Sequence, residues 1–332
     1  MSVRWGIVGP GGIAERFAEG MELVADGEIV AVASRSRERA DAFADRYDVP
    51  RRYGCYDDLA ADPEVDVVYV ATPHSRHEQD TLTCLAAGKH VLCEKPLALN
   101  AAQARRMVEA ARAGGLFLME AMWSRFLPAY RRLRELLDDG RIGEPLVVET
   151  DFGFRVPVNP EHRLFDLALG GGALLDLGIY PVQLCAFVLG LPERVLADGV
   201  IGETGADEVV TGLLHHGGGR LGVVKAATRV ALSCTARISG SDGWIGLPAP
   251  MHSPMALTVG APGGRGATGT GGTEQVDAGF EGVGLRFQVE EVHRCLAAGR
   301  TESPVMPLDE SIALLGVLDD MRGQLGVVYP GE

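Results

Sequence analysis

The chain has 332 residues, 46% of them apolar, with 31 Lys and Arg against 45 Asp and Glu for a formal charge of −14. At ~150 residues per domain this length predicts about two domains with substantial cores, and the apolar share excludes a mainly disordered chain. The acidic balance argues against a nucleic-acid or anionic-membrane surface, because phosphate groups reward clustered positive charge. Among the basic residues only three are lysines, Lys89, Lys95 and Lys225, and the rest are arginines. That scarcity raises the question of what each surviving lysine supplies that arginine cannot.

In chain order, Val3–Val8 reads as a strand and a glycine turn then opens a helix to about Gly20. A strand at Glu28–Ala33 is followed by a charged amphipathic helix from Ser36 to Tyr47. Asp66–Ala71 is an apolar strand, His74–Ala87 a helix, Lys89–Cys93 a strand, Ala101–Ala113 a helix and Leu116–Glu120 a strand. This alternation predicts a parallel sheet covered on both faces. The character changes near residues 120–125. A helix at Pro128–Asp138 leads to a strand at Leu146–Phe154, and Gly170-Gly171-Gly172 precedes an apolar helix at Ala173–Leu189. Several strands follow between Arg194 and Val259, with Val209–His215 and Arg220–Ala226 flanking Gly217-Gly218-Gly219 as a hairpin. Gly260–Gly272 is glycine-rich and reads as a loop, and helices at Val283–Ala297 and Asp309–Leu325 close the chain.

Met1-Ser2-Val3-Arg4-Trp5 enters an apolar run at once, so no signal peptide is expected, and no window of ~18 uninterrupted apolar residues predicts a membrane span. Cys55, Cys84, Cys93, Cys185, Cys234 and Cys295 include no Cys-x-x-Cys pair, which predicts buried thiols in a reduced, cytoplasmic protein.

Gly9-Pro10-Gly11-Gly12-Ile13-Ala14 matches G-x-G-x-x-A directly after a strand and at a helix start. Gly9 makes the tight turn, Gly11 lets a pyrophosphate approach the backbone, and Ala14 permits close helix–strand packing. The helix start at Gly12 and Ile13 aims N–H donors at the phosphates. The second strand ends in Ser34 and Arg35 with Arg39 beyond, where an NAD-selective site usually places a carboxylate. A hydroxyl and guanidinium groups suit a 2′-phosphate, so NADP is the expected cofactor. Ala71, Thr72, Pro73, His74 and His77 follow the third apolar strand, whose end faces the ligand crevice in such a sheet. His74 and His77 have a spacing that metals use, but no third ligand is suggested nearby and no metal is expected.

Val91-Leu92-Cys93-Glu94-Lys95-Pro96-Leu97, after this nucleotide-binding pattern, resembles the glucose–fructose oxidoreductase/inositol dehydrogenase (Gfo/Idh/MocA) family. Glu120-Ala121-Met122-Trp123-Ser124-Arg125-Phe126, the run Gly170–Tyr180 and Glu302-Ser303-Pro304-Val305-Met306-Pro307-Leu308 extend the resemblance over essentially the whole chain. Together they look most like its dimeric dihydrodiol dehydrogenase branch, which uses a tyrosine at the Tyr180 position where many members carry histidine. The resemblance implies an α/β protein with an N-terminal Rossmann doubly wound parallel sheet over residues 1–122. Residues 123–332 become a C-terminal α+β domain with a large, mainly antiparallel open sheet that binds substrate and forms a homodimer. It implies Lys95, Asp176 and Tyr180 as catalytic residues, with Glu94, Lys95 and Arg163 at the cofactor. Trp123, Arg125, Phe154 and Phe280 are then walls for the substrate.

The residues also speak for themselves. Asp176 and Tyr180 are four apart in a predicted helix and share one face, while Lys95 precedes a proline that biases it towards extended backbone at a strand end. Hydride transfer at a carbinol carbon needs a group to take or give the hydroxyl proton. Tyr180 is the candidate, helped by the cationic field of Lys95 and oriented by Asp176. An exchange of roles between Lys95 and Tyr180 stays open. The leading expectation is an NADP-dependent oxidoreductase acting on a sugar, cyclic polyol or trans-dihydrodiol. An NAD-linked inositol-type dehydrogenase and a non-enzymatic dinucleotide-sensing regulator are the alternatives. Of the lysines, Lys89 and Lys225 are expected in solvated roles.

Overall fold

The β-branched runs near the start form the strands they predict. The computed structural model describes residues 2–261 and 272–332, so most of the glycine-rich stretch read as a loop lies outside the described residues. Strands β1 (Val3–Val8), β2 (Gly27–Ala33), β3 (Arg51–Tyr53), β4 (Val67–Val70), β5 (His90–Glu94) and β6 (Leu118–Ala121) pair in parallel in the order β3-β2-β1-β4-β5-β6. Between them run α1 (Gly12–Met21), α2 (Arg37–Tyr47), α3 (Tyr56–Ala60), α4 (His77–Ala86) and α5 (Ala101–Gly114). Order reverses between β1 and β4, so the connections leaving their ends turn apart and open the crevice that binds dinucleotides in this topology. β4 is buried throughout, as a central parallel strand covered on both faces must be. The sequence reading passed over β3 and α3, which are too short to show a periodicity.

The second sheet is built from residues after α6 (Pro128–Asp138). Strands β7 (Pro145–Gly153), β8 (Arg194–Ile201), β9 (Asp207–His216), β10 (Arg220–Ala227), β11 (Ala236–Gly240), β12 (Trp244–Leu247), β13 (Ala256–Gly260) and β14 (Thr273–Asp277) pair in the order β14-β13-β12-β11-β7-β10-β9-β8. Among the described residues of this sheet, β7 and β10 are the one pair of neighbours that runs parallel. The β9–β10 hairpin turns through Gly217–Gly219, where Gly218 and Gly219 have φ of 75° and 77°, values that glycine tolerates at no cost. The expected helix at Ala173–Leu189 is a π-helical turn at Leu174–Gly178 followed by α7 (Ile179–Leu189). α7 packs on β7 and β10 and is apolar nearly all round. The run Leu167–Leu189 is long and apolar enough to cross a membrane by composition, but 89% of its most apolar window is buried inside the protein, as in a core helix.

The chain closes with α8 (Arg286–Ala297) and α9 (Leu308–Leu325). Whereas the sequence pattern suggests one cut at 122/123, contacts divide the chain into a first unit of Met1–Phe126 with Glu281–Leu315 and a second of Leu127–Phe280 with Gly316–Glu332. The return has specific causes. Trp5 Nε1 donates to His293 Nε2 at 3.0 Å, and Leu118 N donates to Thr301 O at 3.1 Å.

Lys89 departs from its expected solvated role. It is 9% exposed, and its ammonium donates to the carbonyls of Asp62 at 2.6 Å and Val65 at 2.8 Å. Lys225 is exposed on β10 as expected. Lys89→Ala removes both bonds, leaving the Asp62 carbonyl its bond from Val65 N at 3.2 Å, and should cost about 1–3 kcal/mol of stability, against at most about 0.5 kcal/mol for Lys225→Ala. Urea melts of the two variants check this, and equal midpoints would refute it.

Candidate active site

In the first unit, the turn after β1 is fixed by a close backbone approach. Gly9 has φ of 87°, and a Cβ there would stand 2.9 Å from Thr72 Cγ2 and 3.0 Å from the Ala71 carbonyl. Gly9 N donates to Ala33 O at 3.1 Å and Ala71 N to Val8 O at 2.8 Å, which holds the ends of β1, β2 and β4 together. At Gly11 and Gly12 a Cβ would meet nothing within 4 Å. That open space lies over the start of α1, where Gly11 is the N-cap without a side-chain cap bond and the first N–H groups lack helical acceptors. The space and the donors fit a pyrophosphate, which would neutralise the positive end of the helix. Ile13 is half-buried beside them, and Ala14 is fully buried against the sheet.

Ser34 is buried just beyond β2. Its Oγ accepts from Ser36 N at 3.3 Å, and Ser36 Oγ in turn caps α2 by accepting from Arg39 N at 3.3 Å. Arg35 and Arg39 are exposed on this same short segment. No carboxylate occupies the Ser34 or Arg35 position, so two guanidinium groups and a hydroxyl stand where an NAD site would carry an acid.

Lys95 follows β5 and is half-buried, with a cis peptide bond to Pro96. Three buried groups grip the backbone around it. Glu94 accepts the Tyr69 hydroxyl at 2.5 Å through Oε1 and Lys95 N at 3.2 Å through Oε2. Glu120, fully buried on β6, accepts from Leu97 N at 3.0 Å, and burial pushes its carboxyl up to about 7. His77 is fully buried, with Nδ1 2.8 Å from Pro96 O and Nε2 2.9 Å from Thr72 O. It thus joins the turns after β4 and β5, and burial pushes its pKa below the usual histidine value. Ala71 and Pro73 are half-buried and Thr72 is buried at the end of β4, while the buried His74 ring lies 5.6 Å from that of His77. Trp123 is buried beyond β6, and Arg125 is ion-paired with Glu310 at 2.5 Å, its side chain only 3% exposed.

The second unit carries Asp176 and Tyr180. Gly172 has φ of 131° and sits so close to Asp207 that a Cβ would fall 2.2 Å from Asp207 Oδ1. Asp207 Oδ2 accepts from Leu174 N at 2.6 Å and so caps the helical run from outside; burial pushes this carboxyl up to about 7. Gly171 N and Gly172 N donate to Asp166 O and Leu164 O, both at 2.9 Å. The strap they hold carries Arg163, whose guanidinium meets the Asp176 carboxylate bidentately at 3.0 and 3.2 Å. Arg163, expected at the cofactor, is in this structure the charge partner of Asp176. Tyr180 is 5% exposed, with its ring 5.5 Å from Phe152 in an edge arrangement and 5.1 Å from His252. His252 stacks on Phe152 at 4.4 Å, and the exposed Phe154 ring lies 6.1 Å from Phe152. Phe280 is half-buried just after β14.

Sequence reasoning missed Phe152, His252, Asp207 and the Arg163–Asp176 pairing. His252 lies in a turn between β12 and β13 with no motif around it. Asp207 caps a helix start 33 residues away, beyond any local capping pattern. Phe152 carried a readable signal, since within the expected strand Leu146–Phe154 it stands two residues before Phe154 and therefore on the same face.

Comparison with known proteins agrees with this geometry. Residues 3–122 match the family model described as "Oxidoreductase family, NAD-binding Rossmann fold", and residues 130–246 match that of the GFO/IDH/MocA C-terminal domain. The trans-1,2-dihydrobenzene-1,2-diol dehydrogenase of Homo sapiens is 41% identical over 339 residues, covering 100% of this chain and 99% of the relative. That of Mus musculus is 42% identical over 337 residues, with the same coverage. Among solved structures, the aldose-aldose oxidoreductase from Caulobacter crescentus complexed with glycerol has a TM-score of 0.86 at 25% identity, covering 98% of this chain and 97% of its own. Levoglucosan dehydrogenase, in complex with NADH and levoglucosan, shares the fold at a TM-score of 0.88 and 20% identity, with both chains fully covered. The chain belongs to the Gfo/Idh/MocA family of NAD(P)-binding oxidoreductases.

Proposed function

We propose that this enzyme is an NADP-dependent oxidoreductase acting at a secondary alcohol or carbonyl of a cyclic polyol, a sugar or a trans-dihydrodiol. The observation that carries the reading is the setting of the buried Tyr180 side chain, in an aromatic wall and one helical turn from the Arg163–Asp176 pair. The cofactor, when bound, supplies or accepts the hydride. Tyr180 gives or takes the proton of the substrate oxygen, and Lys95 supplies the cationic field that makes a phenol competent for it. Asp176, held bidentately by Arg163, keeps fixed geometry and orients a substrate hydroxyl. The faces of Phe152 and Phe154 suit the apolar side of a ring, while His252 adds a hydrogen-bonding edge that suits its hydroxyls. The relatives named as dihydrodiol and aldose oxidoreductases support this substrate class.

Tyr180→Phe is expected to lose at least about 100-fold in kcat with dinucleotide affinity near wild type. Lys95→Arg should fail nearly as badly as Lys95→Ala, because a guanidinium is bulkier and cannot tune its charge. Steady-state kinetics over a panel of sugars and cyclic diols decides this. Retained kcat in Tyr180→Phe removes the tyrosine from the proton path, and cofactor binding with no turnover on any panel member would favour a dinucleotide sensor.

Ser34, Arg35 and Arg39 support NADP over NAD. One charge-assisted contact to the 2′-phosphate is worth about 1.5–3 kcal/mol, or roughly 10–100-fold in affinity. Calorimetric titration should show that preference, and its loss in Arg35→Ala; tighter NAD binding refutes it. Gly11→Val, which fills open space, should abolish binding of both dinucleotides without lowering the melting temperature.

We also propose a homodimer through the face of the second sheet opposite α7, in a reducing compartment such as the cytoplasm that suits six free cysteines. Leu196 and Val200 on β8 are 46% and 45% exposed, and Leu196 is in register with Leu213 and Val223 across β9 and β10. Sedimentation velocity should give a dimer for the wild type and a monomer for Leu196→Asp/Val223→Asp. A wild-type monomer at micromolar concentration would exclude it.

A further inference from the structure

The Gly170–Gly172 loop has a third anchor, which the reaction as outlined does not use. Tyr329 is 1% exposed, and its hydroxyl donates to Gly171 O at 3.1 Å. The tyrosine is itself locked in place. The Arg322 guanidinium lies 4.9 Å from its ring, donates to Val327 O at 3.1 Å, and pairs with Glu332 at 2.8 Å through Nη2. Tyr329 N donates to Glu332 Oε2 at 3.0 Å, which ties residues 327–332 into one knot. Burial raises the Tyr329 pKa well above the ordinary phenol value, so the hydroxyl stays a donor to that carbonyl.

Gly171 is where several constraints meet. Its neighbour Gly172 abuts Asp207, the residue that caps the helical run. A Cβ on Gly171 would lie 2.8 Å from both Arg163 O and Asp166 O, so the strap bearing Arg163 rests on the same two peptides. A displacement at Gly171 thus moves Arg163 and the start of the helix together. Asp176 and Tyr180 follow within two turns, and an error of ~1 Å at reacting groups can cost ~100-fold in rate.

We propose that Tyr329 is a positioning residue for proton transfer: by holding Gly171 O it sets where the helix delivers Asp176 and Tyr180. This rests on the reading of Tyr180 given above, and the experiment separates the two. Tyr329→Phe keeps the ring and removes one hydrogen bond. It is expected to lower kcat roughly 5–20-fold with KM for the dinucleotide unchanged. Glu332→Ala, which loosens the knot while leaving the buried ring intact, should show the same split with a smaller loss.

In a Tyr180→Phe background, Tyr329→Phe should lower residual turnover by a clearly smaller factor, because one of the two positioned groups is already gone. A merely structural tyrosine would lower activity by the same factor in both backgrounds, and that result, or an unchanged kcat, overturns the proposal. Amide hydrogen exchange tests the positioning without activity: protection at Leu174–Leu177 should fall in Tyr329→Phe while that of β9 and β10 is kept. Unchanged protection there overturns the proposal. If Tyr180→Phe alone retains kcat, the proton-path assignment fails, and the exchange result still decides whether Tyr329 holds the helix.

Discussion

At two of the several points where this chain's backbone passes too close to other atoms for a Cβ, the peptides just ahead of a helix start are held in place. Gly9 crosses the Ala71 carbonyl at the sheet's reversal point, and Gly171 and Gly172 press against Arg163, Asp166 and Asp207. Each contact brings a helix start to a fixed place: in one case the bare N–H groups of α1, in the other the run that bears Asp176 and Tyr180. A substituted glycine at either point must move backbone or a buried carboxylate rather than the tip of a flexible side chain. The constraint is thus steric first and electrostatic second, because the dipoles and charges are useful only once their peptides are fixed.

The polar groups around these points are buried, and burial decides how they behave. Glu120 and Asp207 each accept backbone N–H groups, yet desolvation dominates and brings both carboxyls up to about 7. His77 faces two carbonyls, but a neutral ring donates to one of them at a time, and burial favours the neutral ring. Each of these side chains holds neighbouring backbone in place. Asp176 differs: it is buried but shares its charge bidentately with an arginine whose side chain is 53% exposed, so its carboxylate keeps a partner that reaches solvent.

Local pattern made the first sheet legible, since each of its longer elements has the right period and the glycines stand at the strand end. The nucleotide-binding turn was therefore plain from residues 9–14 alone. Pairings across long sequence separations were not. Arg125, expected as part of the substrate wall, is paired with Glu310, 185 residues away, and Trp5 meets His293 across 288 residues. The periodicity of α8 was readable, but which unit it joins was settled by that single indole hydrogen bond and its neighbours. The π-helical turn was equally hidden, because Leu174–Gly178 has the composition of an ordinary helix and differs only in which carbonyl each N–H meets.

The lysines show how far residue chemistry can be pushed without the fold. Rarity suggested that one lysine, Lys95, was special and that the others were replaceable. Lys89 breaks that division, for its ammonium sits between two carbonyls at 2.6 and 2.8 Å with almost no exposure. A compact tetrahedral donor fits that gap, whereas a planar guanidinium spreads its donors too widely. A point charge thus suits Lys89, where two acceptors converge within a small volume. Lys95 stands among such acceptors in a different sense, because the backbone on either side of it is gripped by Glu94, His77 and Glu120. Fixing the main chain there leaves only the side chain, a flexible stem ending in a small charge, to adapt.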